Sequence, residues 1–183
     1  MSSRMLSKTR LIQGILIVTI IALAAVAPSC DSSLLSQKAP DFTLPTITGA
    51  NITLSELEGT PVALNFWATT CPHCIVELPY FEDVAQERTG EIIVIAIDVG
   101  QTISIVQTFF GDYEPTMTVA LDGNIEVFQA YSQSDNPRGY IPITFFIDSE
   151  GIVQHIKLGA FQSEAELWNT LHDVLGITIP QTF

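Results

Sequence analysis

The chain has 183 residues, which is enough for one domain with a targeting segment but short for two full domains. Hydrophobic residues make up 47% of the chain and charged residues 15%, a composition that excludes global disorder. Twenty acidic and seven basic residues give a formal net charge of −13. This charge excludes nucleic acid as the main partner, because phosphates are bound by Lys and Arg.

Residues 1–30 are predicted to be an export signal that also anchors the chain in a membrane. Three basic residues, Arg4, Lys8 and Arg10, precede residues 11–27, which carry no charge and are mostly apolar. This order is typical of export signals, and the basic flank is expected to stay in the cytoplasm. The apolar run is long for the core of a signal peptide and at the short limit for a membrane-spanning helix.

Four readings of this segment stay open. It remains as an uncleaved anchor, or a lipid is attached to Cys30, where residues 27–30 (APSC) form a partial lipoprotein box. Alternatively, cleavage after Ala27 releases the domain, or the segment is a buried helix of that domain. On all readings but the last, the domain works on the extracytoplasmic side of the cell membrane, where disulfide chemistry proceeds.

Residues 31–38 are expected to form a polar linker, and residues 39–183 a single domain. The apolar runs 61–67 and 92–99 have the length and composition of strands that are buried on both faces. The predicted elements, in chain order, are a hairpin of 42–44 and 51–54, strand 61–67, helix 72–88, strand 92–99, helix 103–110, strand 116–121, helix 125–131, a hairpin of 144–148 and 153–158, and a final helix. This order predicts an α/β fold with a central mixed sheet flanked by helices.

Two of the helices carry clear sequence signals. Ser163 and Glu166 form a capping box and Gly176 follows the last apolar turn, so the final helix is predicted between them. The apolar residues of the helix at 72–88 recur at a spacing of three, and they are Ile75, Leu78, Phe81 and Val84. This spacing predicts that residues 72–88 form a helix.

The chemistry is concentrated in Cys71-Pro72-His73-Cys74, which follows a predicted strand and opens a helix. A helix start brings the two Cβ atoms close enough for a disulfide, and it places the first sulfur near unpaired N–H groups that favour a thiolate. Cys71 is therefore predicted to attack a disulfide of the substrate and form a mixed disulfide with it. Cys74 is predicted to resolve this mixed disulfide by attacking the Cys71 sulfur. Pro72 suits the first helical turn, and the His73 imidazole is expected to stabilise the thiolate.

Other readings of the CPHC motif have less support in the sequence. A structural zinc site needs further ligands, and only His155 and His172 remain besides the cysteine of the N-terminal segment. A purely structural disulfide between residues three apart removes little chain entropy. A copper-handling protein stays an alternative, with both cysteines and His73 or His155 as ligands. The prediction is that the protein holds no metal ion and no cofactor.

Three segments together resemble a known family: 39–44 (APDFTL), 64–81 (LNFWATTCPHCIVELPYF) and 141–151 (IPITFFIDSEG). They look like the thioredoxin-like thiol-disulfide oxidoreductases of the TlpA/ResA type, in the AhpC/TSA-related superfamily, many of which are membrane-tethered and act in cytochrome c maturation. The resemblance runs from about Ala39 to Gly176. It implies a thioredoxin-like fold with an added N-terminal β-hairpin. It also implies that the protein reduces disulfides of exported proteins such as apocytochrome c and is itself reduced by a membrane thiol donor. The protein is expected to be a monomer.

The resemblance also assigns roles to residues outside the CPHC motif. Pro142 is implied to be a cis-proline that faces the cysteines, and Ile141 to present its backbone to a bound peptide. Glu77 matches the acidic residue that follows the second cysteine in the family. On the same side of the helix as Cys74, its carboxylate is expected to relay the proton of that thiol.

The chain departs from the family pattern at several positions. Thr70 stands where a second tryptophan is usual, so the substrate groove that it shares with Trp67 is smaller and more polar on one wall. Residues 132–141 form a longer segment than expected before the cis-proline. The Pro-His dipeptide is that of disulfide-forming oxidants, so the direction of electron flow stays open. A peroxidase is disfavoured, because it needs a threonine where Ala68 stands.

Overall fold

The computed structural model describes residues 33–180, and the fold is given for that range. The strands are β1 (Thr43–Pro45), β2 (Asn51–Thr53), β3 (Val62–Trp67), β4 (Ile93–Val99), β5 (Thr118–Asp122), β6 (Ile143–Ile147) and β7 (Val153–Leu158). The helices are α1 (Pro72–Glu87), α2 (Ile103–Phe110), α3 (Glu126–Ser132) and α4 (Glu164–Leu175), with a 3-10 helix at Leu54–Leu57.

A five-stranded sheet in the order β5-β4-β3-β6-β7 forms the centre of the fold. Strand β4 is parallel to both β3 and β5, whereas β6 runs antiparallel to both β3 and β7. Strands β1 and β2 form a separate antiparallel hairpin. The predicted α/β fold, with a mixed sheet and an added N-terminal hairpin, is confirmed.

The central strand β3 is buried along its whole length because both faces of the sheet are covered. Its side chains alternate between two hydrophobic cores. Ala63 and Trp67 enter the core under α1, α2 and α4, whereas Leu64 and Phe66 enter the core under α3 and the hairpin. The carboxyl end of β3 therefore leads directly from the middle of the sheet to the start of α1.

The final helix has the predicted ends. The Ser163 side chain accepts a hydrogen bond from the Glu166 N–H at 3.2 Å, and Gly176 ends the helix in the left-handed conformation with φ 70°. The Glu166 carboxylate accepts from the Gln162 N–H at 2.7 Å, one residue before the predicted partner. The helix start is therefore stabilised by both side chains, as in a capping box.

Helix α1 forms where the sequence predicts it, and of its four apolar residues at a spacing of three only Ile75 is exposed, at 38%. A step of three residues turns an α-helix by about 300°, so positions at this spacing drift by about 60° per step. Ile75 and Val84, three steps apart, therefore lie on opposite sides of the helix, and Val84 is the buried one. Two carboxylates, Glu77 and Glu82, take places on the buried face that the apolar pattern did not indicate.

The described part of the predicted linker is hydrogen-bonded to the domain. Ser36 donates its N–H to the Val153 carbonyl at 2.8 Å, and Leu34 donates its N–H to the Asp135 carboxylate at 2.9 Å. The compact unit accordingly begins at Ser33. The predicted export signal and its lipid-anchor candidate Cys30 lie outside the described residues. Across 33–180, none of the helices combines the length and the apolar character that crossing a membrane requires.

Candidate active site

Cys71 and Cys74 form a disulfide at the start of α1, shortly after β3 ends. Their Cα atoms are 5.3 Å apart, within the usual range for a disulfide. Cys71 is the N-cap residue of α1, and its Sγ accepts a hydrogen bond from the Cys74 N–H at 3.2 Å. In the reduced protein, the same N–H and the helix dipole favour negative charge on the Cys71 sulfur.

The two cysteines differ in their access to solvent. Cys74 is fully buried in the core under α1, whereas Cys71 is partly exposed. Pro72 and His73, between them, are exposed, and Pro72 occupies the first turn, where its missing N–H leaves no bond unmade. A partner molecule can therefore reach Cys71 in the folded protein, whereas it cannot reach Cys74, which is covered by other residues of the domain.

A short loop between β3 and α1 fixes the position of Cys71. The Cys71 N–H donates to the Ala68 carbonyl at 3.1 Å. Gln101 holds Thr69 twice, because its Oε1 accepts from the Thr69 N–H at 2.7 Å and its Nε2 donates to the Thr69 Oγ1 at 2.9 Å. The Gln101 N–H in turn donates to Asp98 Oδ1 at 3.1 Å. The loop is thus connected by hydrogen bonds to the end of β4.

Asp98 is a buried carboxyl group that the sequence analysis missed. It is fully buried, and its Oδ2 has no hydrogen-bond partner in the described part of the chain. Burial raises the pKa of Asp98 to about 6, although the hydrogen bond from Gln101 favours the charged form. The available sequence signal was an acidic residue near the end of an apolar strand, adjacent in the sheet to the strand that leads to the cysteines.

The cis-proline loop approaches the disulfide from β6. The Ile141–Pro142 peptide bond is cis, as the resemblance implied, and the Ile141 carbonyl oxygen lies 3.8 Å from the Cys71 Sγ. The preceding segment is fixed by the buried Asn136, which donates to the Tyr140 carbonyl at 2.6 Å and accepts from the Tyr140 N–H at 3.0 Å. The longer segment 132–141 therefore ends in an ordered turn beside the redox site.

Glu77 is fully buried, which excludes its being an ordinary exposed glutamate of the helix. One carboxylate oxygen accepts from the Asn65 side-chain amide at 2.8 Å, and the other accepts from the Phe161 N–H at 2.8 Å. Burial raises the pKa of Glu77 to about 7, even though both hydrogen bonds favour the charged form. The group can therefore take up or release a proton near neutral pH. It follows Cys74 by three residues, on the same side of α1.

The predicted groove residues Trp67 and Thr70 differ in exposure. Trp67 is fully buried, so it does not itself offer a surface to a substrate. Its ring packs against Phe109 and Phe110 of α2, with ring centroids 5.3 and 5.9 Å away. The exposed apolar surface at this place belongs to Phe109 instead, because α2 covers the tryptophan. Thr70, next to Cys71, is exposed.

The described residues do not assemble a metal site. Within 33–180, no three His, Cys, Asp or Glu side chains come together closely enough to hold an ion. His155, a candidate copper ligand, lies on β7 with its ring 5.9 Å from that of Phe146. The alternative of a copper-handling protein therefore gains no support from this part of the chain.

Comparisons with known proteins agree with this geometry. The AhpC/TSA family pattern matches residues 35–156. Thiol-disulfide oxidoreductase ResA of Bacillus subtilis (strain 168) is 32% identical over 173 residues, which cover 91% of each chain. ResA of Oceanobacillus iheyensis is 36% identical over 127 residues, covering 67% of this chain and 64% of that protein. A solved structure of a candidate thiol:disulfide interchange protein DsbE from Chlorobium tepidum superposes with a TM-score of 0.70 at 26% identity, over 79% of this chain and 100% of that one.

These similarities extend over most of the described domain, and the superposition confirms the predicted thioredoxin-like fold. The two ResA relatives are named thiol-disulfide oxidoreductases, and a cysteine pair at a helix start is suited to thiol-disulfide exchange. Its substrates are protein thiols and disulfides. The chain belongs to the AhpC/TSA family and is a thioredoxin-like thiol-disulfide oxidoreductase.

Proposed function

We propose that the enzyme works outside the cytoplasmic membrane as a monomer and reduces disulfides of exported proteins, apocytochrome c among them. Residues 1–30 hold it at the membrane, as an uncleaved anchor or through a lipid on Cys30, and a membrane thiol donor reduces it. Two observations support this proposal: the similarity to the ResA proteins, and the N-terminal order of basic residues followed by an apolar run.

In this proposal Cys71 is the nucleophile and Cys74 the resolving cysteine. The observation that carries the assignment is the difference in exposure between the two residues. The accessible sulfur is also the one that accepts the N–H bond at the helix start, so a thiolate forms where a substrate can meet it. The Cys74 sulfur is buried, so an outside partner does not reach it directly.

In the reducing direction, the Cys71 thiolate attacks one sulfur of the substrate disulfide and expels the other as a thiolate. Cys74 then loses its proton to Glu77 and attacks the Cys71 sulfur of the mixed disulfide. The Cys71–Cys74 disulfide forms and the second substrate thiolate leaves, so two electrons pass from the enzyme to the substrate. The membrane thiol donor returns these two electrons by the reverse sequence of exchanges.

Ile141 and Pro142 are proposed to align the substrate. The Ile141 carbonyl oxygen, 3.8 Å from the Cys71 Sγ, is within reach of a peptide N–H next to a cysteine that is bonded to Cys71. A main-chain acceptor at this place would bind any sequence, since every residue except proline has an N–H. This supports a broad set of protein substrates, with selectivity supplied by surfaces farther from the disulfide.

Trapping of mixed disulfides tests the assignment of the cysteines. Cys74→Ser removes the resolving thiol, so it should accumulate mixed disulfides between Cys71 and partner proteins in the cell. Cys71→Ser should accumulate few, because its remaining thiol is buried. Non-reducing gels followed by identification of the trapped proteins measure this. Equal trapping by the two variants would contradict the roles assigned to Cys71 and Cys74. If no exported protein is among the trapped proteins, the proposed substrate class is wrong.

A disulfide-forming oxidant is the second candidate, favoured by His73 beside the nucleophile. The reduction potential of the full chain separates the two functions. A value near about −270 mV, as in thioredoxin, supports the reductant, and one near about −120 mV, as in DsbA, supports the oxidant. Redox equilibration with glutathione or dithiothreitol measures it.

Cell fractionation of the wild type and of Cys30→Ser tests the anchor. Both forms stay in the membrane fraction without incorporating labelled fatty acid if an uncleaved segment holds the protein, whereas the wild type alone incorporates the fatty acid if a lipid on Cys30 holds it. Recovery of most of the wild-type protein in a soluble extracytoplasmic fraction would rule out both modes of anchoring.

A further inference from the structure

A groove of about 420 Å³ runs along α1, between that helix and α2 with the segment that follows it. One wall is formed by successive turns of α1, at Ile75, Pro79 and Asp83. The other wall carries the aromatic rings of Phe109 and Tyr113. We call this feature the α1–α2 groove.

The α1–α2 groove begins next to the redox disulfide. Ile75 lies four residues after Cys71, which is about 6 Å along the helix axis, and Asp83 lies twelve residues after it, about 18 Å away. On the opposite wall, the Phe109 ring packs on Trp67, the last residue of the strand that leads to Cys71. A peptide bonded to Cys71 can therefore continue directly into the groove.

Its near part offers exposed apolar surface. Ile75 is 38% exposed and Phe109 39%. Tyr113, 52% exposed, lies farther along the groove, where its hydroxyl donates to the Glu82 carboxylate at 3.0 Å. Adjacent apolar side chains that face solvent are typical of interaction sites. This surface suits an apolar side chain of a bound, extended peptide.

The far end of the groove is acidic. Partial burial, together with the nearby carboxylates of Glu164 and Glu87, raises the pKa of Asp83. The ion pairs found between residues 33 and 180 are Lys38–Glu58 and Lys157–Glu166, and neither involves Asp83. The carboxylates at this end therefore repel one another, and a cation placed among them would be attracted.

The charge of the whole chain favours a basic occupant. All twenty acidic residues and only four basic ones follow residue 11. A basic segment is drawn to such a domain over a distance, whereas a second copy of this chain is repelled. Arg88, the C-cap residue of α1, donates to the Thr178 carbonyl and packs over the Trp168 ring.

We propose that the α1–α2 groove binds an extended, basic segment of the protein whose disulfide is exchanged. An apolar side chain of that segment contacts Ile75 and Phe109, and a Lys or Arg side chain pairs with Asp83. An extended chain advances about 3.3 Å per residue, so these contacts lie about two and about five to six residues from the substrate cysteine. The inference rests on the proposed attack by Cys71 and adds a rule for substrate sequence.

Matched peptides test this rule on the reduced full chain. Each peptide carries one cysteine in a mixed disulfide with a chromophoric thiol, whose release gives the rate constant. One peptide has leucine two residues and lysine five residues from the cysteine, both on the same side of it. The peptide is made in two versions, with these residues on the C-terminal or on the N-terminal side. Its isomer has the same composition with the lysine next to the cysteine. The peptide with the distant lysine should react about three- to fivefold faster, the size expected for one partly exposed ion pair.

The dependence on Asp83 identifies the groove. In Asp83→Asn the rate ratio of the two isomers should fall to about one, whereas Glu126→Gln, which neutralises an exposed carboxylate on α3, should keep the wild-type ratio. In Phe109→Ser, exchanging the peptide leucine for serine should no longer matter. The ratio of the two peptides' rates is measured on the same sample of each variant, so a smaller fraction of folded protein lowers both rates equally and leaves the ratio unchanged.

The outcomes separate this inference from the proposed function. If 2-hydroxyethyl disulfide is not reduced by the wild type, the proposed chemistry itself fails. If it is reduced but the isomers react equally, or if Asp83→Asn keeps the preference, the groove does not bind the basic segment. A stable dimer in solution that Phe109→Ser dissociates would assign the groove to a second copy and overturn the inference.

Discussion

A carboxyl group with a pKa near 7 can both take and return a proton under cellular conditions, and Glu77 has this property because of where it lies. Burial favours its neutral form, while the Asn65 amide and the Phe161 N–H favour its charged form. The balance leaves both forms populated at neutral pH. Cys74, three residues earlier on the helix, is a buried thiol that must lose a proton before it can attack.

Glu77→Gln is expected to slow the release of reduced substrate by at least about tenfold, since general acid–base help is worth about 10²–10⁴ in rate. The defect should shrink at high pH, where hydroxide removes the thiol proton without help. Stopped-flow single turnovers between pH 6 and 9 measure the rate. Glu87→Gln, an exposed glutamate at the end of the same helix, is the control. Equal rates for the two variants across this range would remove Glu77 from the mechanism.

His73 is the other residue beside the cysteines whose role is open to a direct test. It is exposed in the first turn of α1, between the two sulfurs in sequence. His73→Pro should make the couple more reducing, because the imidazole no longer stabilises the Cys71 thiolate. His73→Gln should shift the potential in the same direction, since it removes the imidazole without changing the backbone. A shift in the proline variant alone would assign the effect to the backbone.

At the level of the elements, Glu82 shows how a buried charge can join a helix to a distant segment. Its carboxylate on α1 accepts hydrogen bonds from the Gln86 and Tyr113 side chains. It also accepts from the N–H groups of Thr116 and Met117, just before β5. Burial alone would raise the pKa of Glu82, but these four donors lower it below its ordinary value. The carboxylate therefore remains charged and holds α1 against the chain that leads into β5.

Glu82→Gln is expected to destabilise the folded protein by about 2 kcal/mol at pH 7, because hydrogen bonds to a charged group contribute about 1.5–3 kcal/mol. A group whose folded pKa is lowered stabilises the fold above its unfolded pKa, and this contribution is lost as pH falls. The difference between variant and wild type should accordingly shrink below about pH 4.5. Urea unfolding at pH 4 and pH 7 measures it, with Glu87→Gln as the control. A variant as stable as wild type at pH 7 would contradict the role of this carboxylate.

The helices and strands were predictable from the sequence, because each carries a local signal. The apolar runs 61–67 and 92–99 match β3 and β4 within one residue at either end, and Ser163 with Gly176 bounds α4. The roles of Glu82 and Asp98 were not predictable. An isolated glutamate in a helix reads as exposed, and its burial is decided by a segment more than thirty residues away.

The candidate site was predictable to a similar extent. The CPHC motif places its cysteines by local geometry, and the resemblance supplied Glu77 and Pro142. The exposure of Phe109 and the burial of Trp67 depend on where α2 packs, which no local pattern indicates. Residues brought in by a neighbouring helix, rather than those next to the cysteines, are thus the part of the site that required the structure.

For the whole molecule, the two buried carboxyl groups predict how stability depends on pH. Burial raises the pKa of Glu77 to about 7 and that of Asp98 to about 6, from ordinary values near 4.5 and 3.8. Each group therefore binds its proton more tightly in the folded state. The stability that this proton contributes is fully present below the unfolded pKa and is lost as pH rises through the folded value. The window runs from about pH 4 to about pH 7.

The oxidised wild type is therefore expected to be less stable at pH 8 than at pH 5, with each carboxyl group contributing on the order of 2 kcal/mol to the difference. Glu77→Gln combined with Asp98→Asn should remove most of this slope, because a neutral amide replaces each group while keeping an acceptor oxygen. Part of any remaining slope reflects repulsion among the surface acids of a chain with net charge −13, and added salt should screen that part. Urea unfolding at the two pH values, with and without 0.5 M salt, separates the contributions. If the double variant keeps the full wild-type slope in high salt, the buried carboxyl groups do not control the stability of this enzyme.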